Sequence, residues 1–303
     1  MRPEFMVWSF VRFYNYVRIT GALYIPGRIV KSLIATQSGR TVGTGLVNLA
    51  TPGLAVNAGY VLSFTSEEFD AKNLQLTFQL ENGERFQISG TEAANYYLQH
   101  ERTANKPERQ FFDRLGDPGY DRILEIGSRA RSGLARRDLF EGKQYTGFDV
   151  LDGPNVDIIG DAHSLSAHFA AESFDAVYSI STFEHLAMPW KVALELNHVL
   201  RMGGIAYFMT HQALGMHDMP WDFWRFSDTA WDSLFNDFTG FKKQATFLGG
   251  PMTLVPNIYH DHWKGYEAAT GFSISAVLIE KTGPCNLKWD LDVRQAIRGI
   301  YPA

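Results

Sequence analysis

Three histidines stand where acid–base chemistry is feasible. His185, His211 and His217 each follow a segment with the pattern of a buried β-strand, at its carboxyl end or just beyond it. In open α/β sheets this edge binds ligands, and an imidazole ionises near neutral pH, which suits the removal of a proton from a hydroxyl. We favour His211 as such a base. His217 precedes Asp218, whose carboxylate could orient the ring.

An aromatic segment follows the predicted strand that ends at His211. It contains Trp221, Trp224 and Arg225 among further aromatic residues. Rings of this kind cover an active site or stack on a sugar or an aromatic ligand, and they equally pack in a core between a lid and a helix. We retain Trp221, Trp224 and Arg225 as candidate substrate contacts, with the packing role left open.

The sequence predicts no metal site. Its single cysteine, Cys285, can form neither an intramolecular disulfide nor a thiolate metal site. The run His260-Asp261-His262 resembles a set of metal ligands. Side chains this close in sequence rarely reach one ion without help from the backbone, so a solvent-exposed loop is the preferred interpretation.

These side chains require a sheet that brings several strand ends together. Beyond residue 120, strand candidates alternate with helical stretches, which indicates an α/β fold, a largely parallel sheet with helices on both faces. The strand candidates are 122–126, 144–150, 156–159, 174–180, 204–210, 241–247 and 272–280, and the clearest helices cover 189–200 and 228–238.

The first hundred residues have a different pattern. Residues 6–35 are rich in aromatic and aliphatic side chains, but basic residues interrupt them too often for a transmembrane helix. We expect an amphipathic surface helix here, which packs on its own protein or touches a membrane or another subunit. The runs 60–65, 74–80 and 85–89 predict a small antiparallel β unit, and 91–115 favours helix.

Acidic residues lie at the ends of the first two strands of the predicted parallel sheet. The first reads Glu125-Ile126-Gly127-Ser128, in which glycine permits a ligand to approach the backbone closely and the following turn offers N–H donors. The second ends at Asp149, followed by Val150. A carboxylate in this position suits the paired hydroxyls of a ribose.

Three further segments complete an ordered set of motifs: Gly160-Asp161-Ala162-His163, the strand that contains Ser179, and the run 199–204 with its glycine pair. This set resembles the class I S-adenosylmethionine (SAM)-dependent methyltransferases, most closely bacterial enzymes of glycan or natural-product pathways. The resemblance extends from about residue 108 to the C-terminus. It implies a seven-stranded Rossmann-like domain over 108–303, an accessory region over 1–107, methyltransferase activity and SAM as cofactor.

The resemblance also implies roles for individual residues. Glu125 and Gly127, with Ser128, would lie near the amino-acid end of SAM, Asp149 and Val150 at the ribose, and Asp161 and Ala162 at the adenine, with Ser179 in the same pocket. His185 lies in a segment that relatives share, so its implied role is to shape that pocket. Arg129 and Arg131 stand where the family often has glycines, so the resemblance does not predict the shape of this loop.

The charge of the chain argues against one class of partner. The net charge of −5 and the scattered basic residues do not favour binding to nucleic acid. From the resemblance we expect a cytoplasmic enzyme, able to form homo-oligomers, that methylates an oxygen of a saccharide or a small secondary metabolite. Residues 1–5, which include the Glu-Phe pair of a common cloning site, are set aside. Two alternatives stay open: an NAD(P)-dependent oxidoreductase, disfavoured by the missing diphosphate fingerprint, and a non-catalytic SAM- or carbohydrate-binding protein.

Overall fold

The computed structural model describes residues 3–13, 15–51, 56–100, 105–131, 133–254 and 270–297. The chain divides into two compact units. One comprises residues 1–103 and 251–271, and the other comprises residues 104–250 and 272–303. Ser132 and the run from His260 to His262 lie outside the described residues.

The first unit is built on a seven-stranded antiparallel sheet. Its elements are β1 (Glu4–Phe13), β2 (Tyr16–Tyr24), β3 (Val30–Gln37), β4 (Arg40–Leu49), β5 (Gly59–Thr65), β6 (Leu74–Leu80), β7 (Arg85–Ser89) and α1 (Gly90–His100). The strands lie in the order β1-β2-β5-β4-β3-β6-β7. Inward-facing aliphatic and aromatic side chains, such as Ile19, Leu33 and Phe78, form the core of the unit.

The prediction of an amphipathic helix within residues 6–35 is wrong, because β1, β2 and most of β3 occupy this segment. Its β-branched and aromatic residues favour an extended backbone. Strand β2 pairs with β1 on one side and with β5 on the other, and the residues between its two ends are buried. Contact with a membrane through an N-terminal helix therefore has no basis in this part of the chain.

The second unit contains a mixed seven-stranded sheet. Its elements are α2 (Lys106–Leu115), β8 (Arg122–Ile126), β9 (Gln144–Asp149), β10 (Ile158–Ile159), β11 (Phe174–Ile180), α3 (Pro189–Val199), β12 (Leu200–Thr210), α4 (Ala230–Leu234), β13 (Phe241–Thr253), β14 (Thr270–Lys281) and α5 (Val293–Ala296). The strand order is β10-β9-β8-β11-β12-β14-β13. Strands β8 to β12 run parallel, and β14 is antiparallel to β12.

Alternate residues of the central strands bury opposite faces of this sheet. Leu124 and Val177 pack on one face with side chains of α3 and α4, among them the fully buried Trp231. Ile123 and Ala176 pack on the other face, together with side chains of α2. Helices therefore cover both faces, and the two-residue period of the strands explains why neighbouring residues enter separate cores.

Two predicted elements are shorter than expected. Strand β10 has two residues, and α4 ends at Leu234 although the pattern predicted a helix to 238. The Asn236 side chain accepts hydrogen bonds from the backbone N–H groups of Phe238 and Thr239, and this local turn competes with continuation of the helix. Within the described residues, the helices lack the length and hydrophobicity needed to span a bilayer.

Candidate active site

A cavity of about 500 Å³ opens at the carboxyl ends of β8, β9, β11 and β12. This is the edge at which parallel sheets bind ligands, and the volume is that of a typical small-molecule site. Residues from several loops line it: Gly127, Arg129, Arg131, Arg136, Asp149, Val150, Leu151, Ile180, Ser181, Thr182, His185, His211, Leu214, His217, Asp218 and Trp221.

The turn after β8 depends on Gly127. Its φ is +77°, which glycine adopts without strain, and its N–H donates to the Phe148 carbonyl at 2.9 Å. A Cβ at this position would lie 1.9 Å from the Oγ1 of Thr182. Glycine is therefore required twice, by the backbone conformation and by the close approach of the β11 loop.

Asp149 lies at the end of β9, in the cavity wall. One of its oxygens accepts a hydrogen bond from the Arg129 backbone N–H at 3.3 Å, and the other accepts from the Leu151 N–H at 3.0 Å. The Arg129 side chain also forms an ion pair with it, at 3.8 Å. Since a carboxylate offers about four lone-pair positions, Asp149 retains acceptor capacity towards the cavity.

Glu125 and Ser128 lie beneath the turn and do not line the cavity. Burial raises the pKa of Glu125 against the opposing effects of a hydrogen bond from the Tyr145 hydroxyl and the charge of Arg136. Ser128 is 1% exposed, and its hydroxyl has no hydrogen-bond partner among the described residues. The backbone carbonyl of Ser128 accepts a hydrogen bond from the Asn155 side chain at 2.9 Å, and this contact stabilises the turn after β8.

Asp161, Ala162 and Ser179 also lie outside the cavity lining. Asp161 accepts hydrogen bonds from the N–H and Nδ1 of His163 at 2.9 and 2.6 Å. Burial alone would raise the pKa of Asp161, but these contacts with His163 hold it below its usual value. The Nε2 of His163 accepts from the Met188 N–H at 3.0 Å, which fixes the tautomer with hydrogen on Nδ1.

The structure brings all three predicted histidines into the cavity. Each presents Nδ1 to a backbone carbonyl: His185 to Trp221 at 2.7 Å, His211 to Ser273 at 3.1 Å and His217 to Gly215 at 3.1 Å. A carbonyl oxygen only accepts, so in each ring Nδ1 donates. In the neutral imidazole this leaves a lone pair on Nε2.

All three Nε2 atoms converge on one carboxylate that the sequence prediction missed. Glu184 has a fully buried side chain, and its Oε1 lies 3.2 Å from the Nε2 of His211 and 3.9 Å from that of His185 and of His217. Its Oε2 accepts a hydrogen bond from the Thr210 hydroxyl. Glu184 lies four residues after the end of β11 and directly precedes His185, so an acid between a buried strand and a histidine was the available signal.

The aromatic residues of the segment after β12 lie in different environments. Trp221 lines the cavity. Trp224 lies outside the lining, where its indole N–H donates to the Leu186 carbonyl at 2.9 Å and its ring contacts Trp190 edge to face. Phe226 is buried in the core against Trp231. The packing role therefore holds for Phe226, and Trp221 lies in the cavity lining as a candidate substrate contact.

Arg225 also lies outside the cavity lining and stabilises the loop that carries His217. It forms a bidentate ion pair with Asp222 and donates to the backbone carbonyls of Leu214 and Gly215. Asp222 accepts from the His217 N–H at 2.9 Å. The hydrogen bonds from Arg225 hold the pKa of Asp222 far below its usual value, against the effect of burial, so this carboxylate stays charged.

Three arginines enter the cavity wall, in a region where the sequence pattern allowed no prediction of loop shape. Arg131 forms an ion pair with Asp218, which links the loop after β8 to the loop after β12. Arg136 lies 3.7 Å from the buried Glu125. The departure from glycine at 129 and 131 therefore adds positive charge to the cavity without closing it.

Comparison with known proteins adds one family match. Residues 128–208 match the family described as a methyltransferase domain. This segment begins in the turn after β8 and ends within β12, so it contains β9, β10 and β11 and most of β12 but not β8. No curated protein matches the sequence.

Solved structures with similar architecture are distant in sequence. A SAM-dependent methyltransferase from Archaeoglobus fulgidus is 14% identical, with a TM-score of 0.42, over 61% of this chain and 100% of that one. A Bacillus subtilis protein is 17% identical, with a TM-score of 0.42, over 59% and 99%. A chain from the complex of the Haloferax volcanii Trm112 methyltransferase activator is 19% identical, with a TM-score of 0.39, over 58% and 89%.

The family match assigns a methyltransferase domain to residues 128–208, within the mixed seven-stranded sheet that carries the cavity. The cofactor that the resemblance to methyltransferases implies for such a domain is SAM. The described residues suit that ligand, because Gly127 leaves the turn open to close approach and Asp149 retains acceptor capacity at the wall.

Proposed function

We propose that this enzyme transfers the methyl group of SAM to a hydroxyl oxygen of a saccharide or of a small hydroxylated metabolite. The observation that carries the proposal is the composition of the cavity. One wall has the features of a cofactor site, Gly127 and Asp149, and the other has three imidazoles in contact with a buried carboxylate. We assign catalysis to residues 108–303 and an accessory role to residues 1–107.

The cofactor side follows from the turn after β8 and the end of β9. Asp149 is suited to accept hydrogen bonds from the ribose hydroxyls, with Val150 beside it. Glu125, Ser128 and Asp161, whose contacts lie behind the cavity wall, would hold the turn and the neighbouring loop in place rather than touch the ligand. Ala162 and Ser179 belong to the same supporting layer.

The acceptor side follows from the histidines. In methyl transfer the carbon–sulfur bond of the sulfonium breaks as a carbon–oxygen bond forms, and the hydroxyl proton must leave the oxygen. His185, His211 and His217 are candidates to receive it, since each lines the cavity and has its Nδ1 held by a carbonyl, which leaves Nε2 as the basic nitrogen. Of the three, His211 has its Nε2 nearest to Oε1 of Glu184. Trp221 supplies an aromatic surface for a sugar ring.

Calorimetric titration with SAM and S-adenosylhomocysteine tests the cofactor side. We expect Asp149→Ala to weaken binding of both ligands by about 10- to 100-fold, the equivalent of roughly 1.5–3 kcal/mol for hydrogen bonds to a charged group. Asp152→Ala is the matched control, because Asp152 is an exposed acid three residues away. Wild-type binding of NAD without binding of SAM would refute the assignment and support an oxidoreductase.

Methylation of a panel of sugars, glycosides and phenols tests the acceptor side, with amines of similar size as comparators. His185→Asn, His211→Asn and His217→Asn are each measured for turnover and for SAM affinity. General-base catalysis contributes about 10²- to 10⁴-fold, so loss of the base lowers kcat by that factor at unchanged SAM affinity. Turnover confined to the amines, or tight SAM binding without any turnover, would exclude oxygen methylation of this kind.

A further inference from the structure

The cluster of Glu184 with three imidazoles has a surplus of hydrogen-bond acceptors. The Nδ1 atoms of His211 and His217 donate to backbone carbonyls, so their neutral rings present lone pairs at Nε2. These lone pairs face Oε1 of Glu184, which is fully buried and has no hydrogen-bond donor in the described part of the chain. Acceptor atoms in mutual contact need a cation between them, either a proton or a metal ion.

The geometry favours a metal ion. The ligand atoms of Glu184, His211 and His217 all lie within 4.8 Å of one another, and Oε1 of Glu184 lies 3.2 and 3.9 Å from the two Nε2 atoms. Bonds of about 2.0–2.2 Å in a tetrahedral site place ligand atoms roughly 3.3–3.6 Å apart. A proton shared between Glu184 and His211 would satisfy only the shorter contact.

The surroundings are those of ligands already oriented for coordination. Metal-binding histidines generally donate their other N–H to a carbonyl or a carboxylate, which fixes the ring. Both histidines do so here, and Glu184 is held through its other oxygen by Thr210. The ion pair of Asp222 with Arg225 anchors the loop behind His217.

We infer that Glu184, His211 and His217 bind a divalent transition-metal ion that takes the acceptor oxygen in an open coordination position. Two imidazoles and a carboxylate suit zinc, iron or nickel better than magnesium. Both histidines line the cavity, so one side of the ion faces the ligand space. A bound cation attracts a hydroxyl oxygen and eases loss of its proton, and His185, which is not part of the triad, stays free to receive that proton. The sequence alone predicted no metal site; the triad comes from three separate segments.

Metal binding is tested without SAM, so that its result does not depend on the proposed function. Untagged full-length protein is treated with a chelator, dialysed and titrated with Zn²⁺, and Co²⁺ absorption spectra report nitrogen ligation. We expect one site, weakened at least about 100-fold in His211→Gln and in His217→Gln, since loss of an orienting contact alone costs about 10- to 100-fold. Circular dichroism and thermal unfolding check that both variants are folded.

Two controls locate the site. His198→Gln changes an exposed histidine on α3 and should leave binding unchanged. The double variant His260→Gln/His262→Gln removes the other histidine pair of the sequence and should also bind normally. Absence of Zn²⁺ binding in the wild type, or equal binding by wild type and the triad variants, would overturn the inference.

The role in catalysis is tested by methylation before and after chelation. Turnover should fall at least about 100-fold in the metal-free enzyme and return with Zn²⁺ or Co²⁺, because a metal-bound hydroxyl loses its proton far more readily. Equal turnover of the metal-free and the loaded enzyme would overturn the catalytic role. Tight Zn²⁺ binding with no turnover on any hydroxyl acceptor would leave the metal site standing and refute the proposed function that this role rests on.

Discussion

Replacement of Gly127 by alanine should weaken binding of SAM and S-adenosylhomocysteine by about 30- to 150-fold. For a residue with a Cβ, the left-handed backbone at φ +77° costs roughly 1–2 kcal/mol. The new Cβ would also lie 1.9 Å from the Oγ1 of Thr182. Thr182 must then rotate and lose its hydrogen bond to the Ile180 carbonyl at 3.1 Å, at a cost of about 1 kcal/mol.

The sum is about 2–3 kcal/mol, and each 1.4 kcal/mol corresponds to roughly tenfold in affinity. The free protein can relieve this strain by moving the turn away from Thr182. Ligand binding must then restore the original turn, so the cost appears in the dissociation constant measured by calorimetric titration. Thermal unfolding of the same variant separates this effect from a loss of overall stability.

Two further variants separate the two components of the cost. Gly142→Ala is the matched control, since Gly142 has φ +79° and an added Cβ there would meet no described atom within 4 Å, so it should lower stability without changing SAM affinity. The double variant Gly127→Ala/Thr182→Ala should regain part of the affinity. It removes the contacts with Oγ1 at 1.9 Å and Cγ2 at 2.8 Å, while the contact with Cβ at 2.9 Å and the backbone strain remain. Wild-type affinity in Gly127→Ala, or no recovery in the double variant, would refute this account of the turn.

Two carboxylates outside the cavity give predictions for stability. Asp175→Asn should destabilise the protein by about 1.5–3 kcal/mol in denaturant titration, because it weakens the charge-assisted hydrogen bonds from the half-exposed Arg122. An unchanged midpoint would contradict this. Burial would raise the pKa of Asp175, but hydrogen bonds from Arg122 hold it far below its usual value. The charged Asp175 therefore contributes to the free energy of unfolding above about pH 4, and this contribution is lost as the pH falls through the lowered pKa. Asp222→Asn should cost about 1–3 kcal/mol and speed amide exchange around His217, because the loop loses its Arg225 ion pair; exchange at the wild-type rate would count against this role.

The parallel part of the fold was predictable because its signals are local. Each central strand is a short apolar run bounded by a turn, and the run 174–180 reads as a fully buried strand that the structure confirms as β11. The N-terminal segment was not predictable by the same rule. Taken alone, its aromatic and basic residues are compatible with a surface helix. The segment forms strands because β2 pairs with β1 and with β5.

The candidate site, too, was predictable from the sequence only in part. The sequence by itself determined the residues at strand ends, Gly127, Asp149 and His211, because side chains that end parallel strands meet at one edge of the sheet. Only the tertiary structure decided what those residues contact. Glu184 became visible as a partner of His211 and His217 once β11 lay beside β12, since contacts between segments distant in sequence depend on strand order and loop packing, which local patterns do not encode.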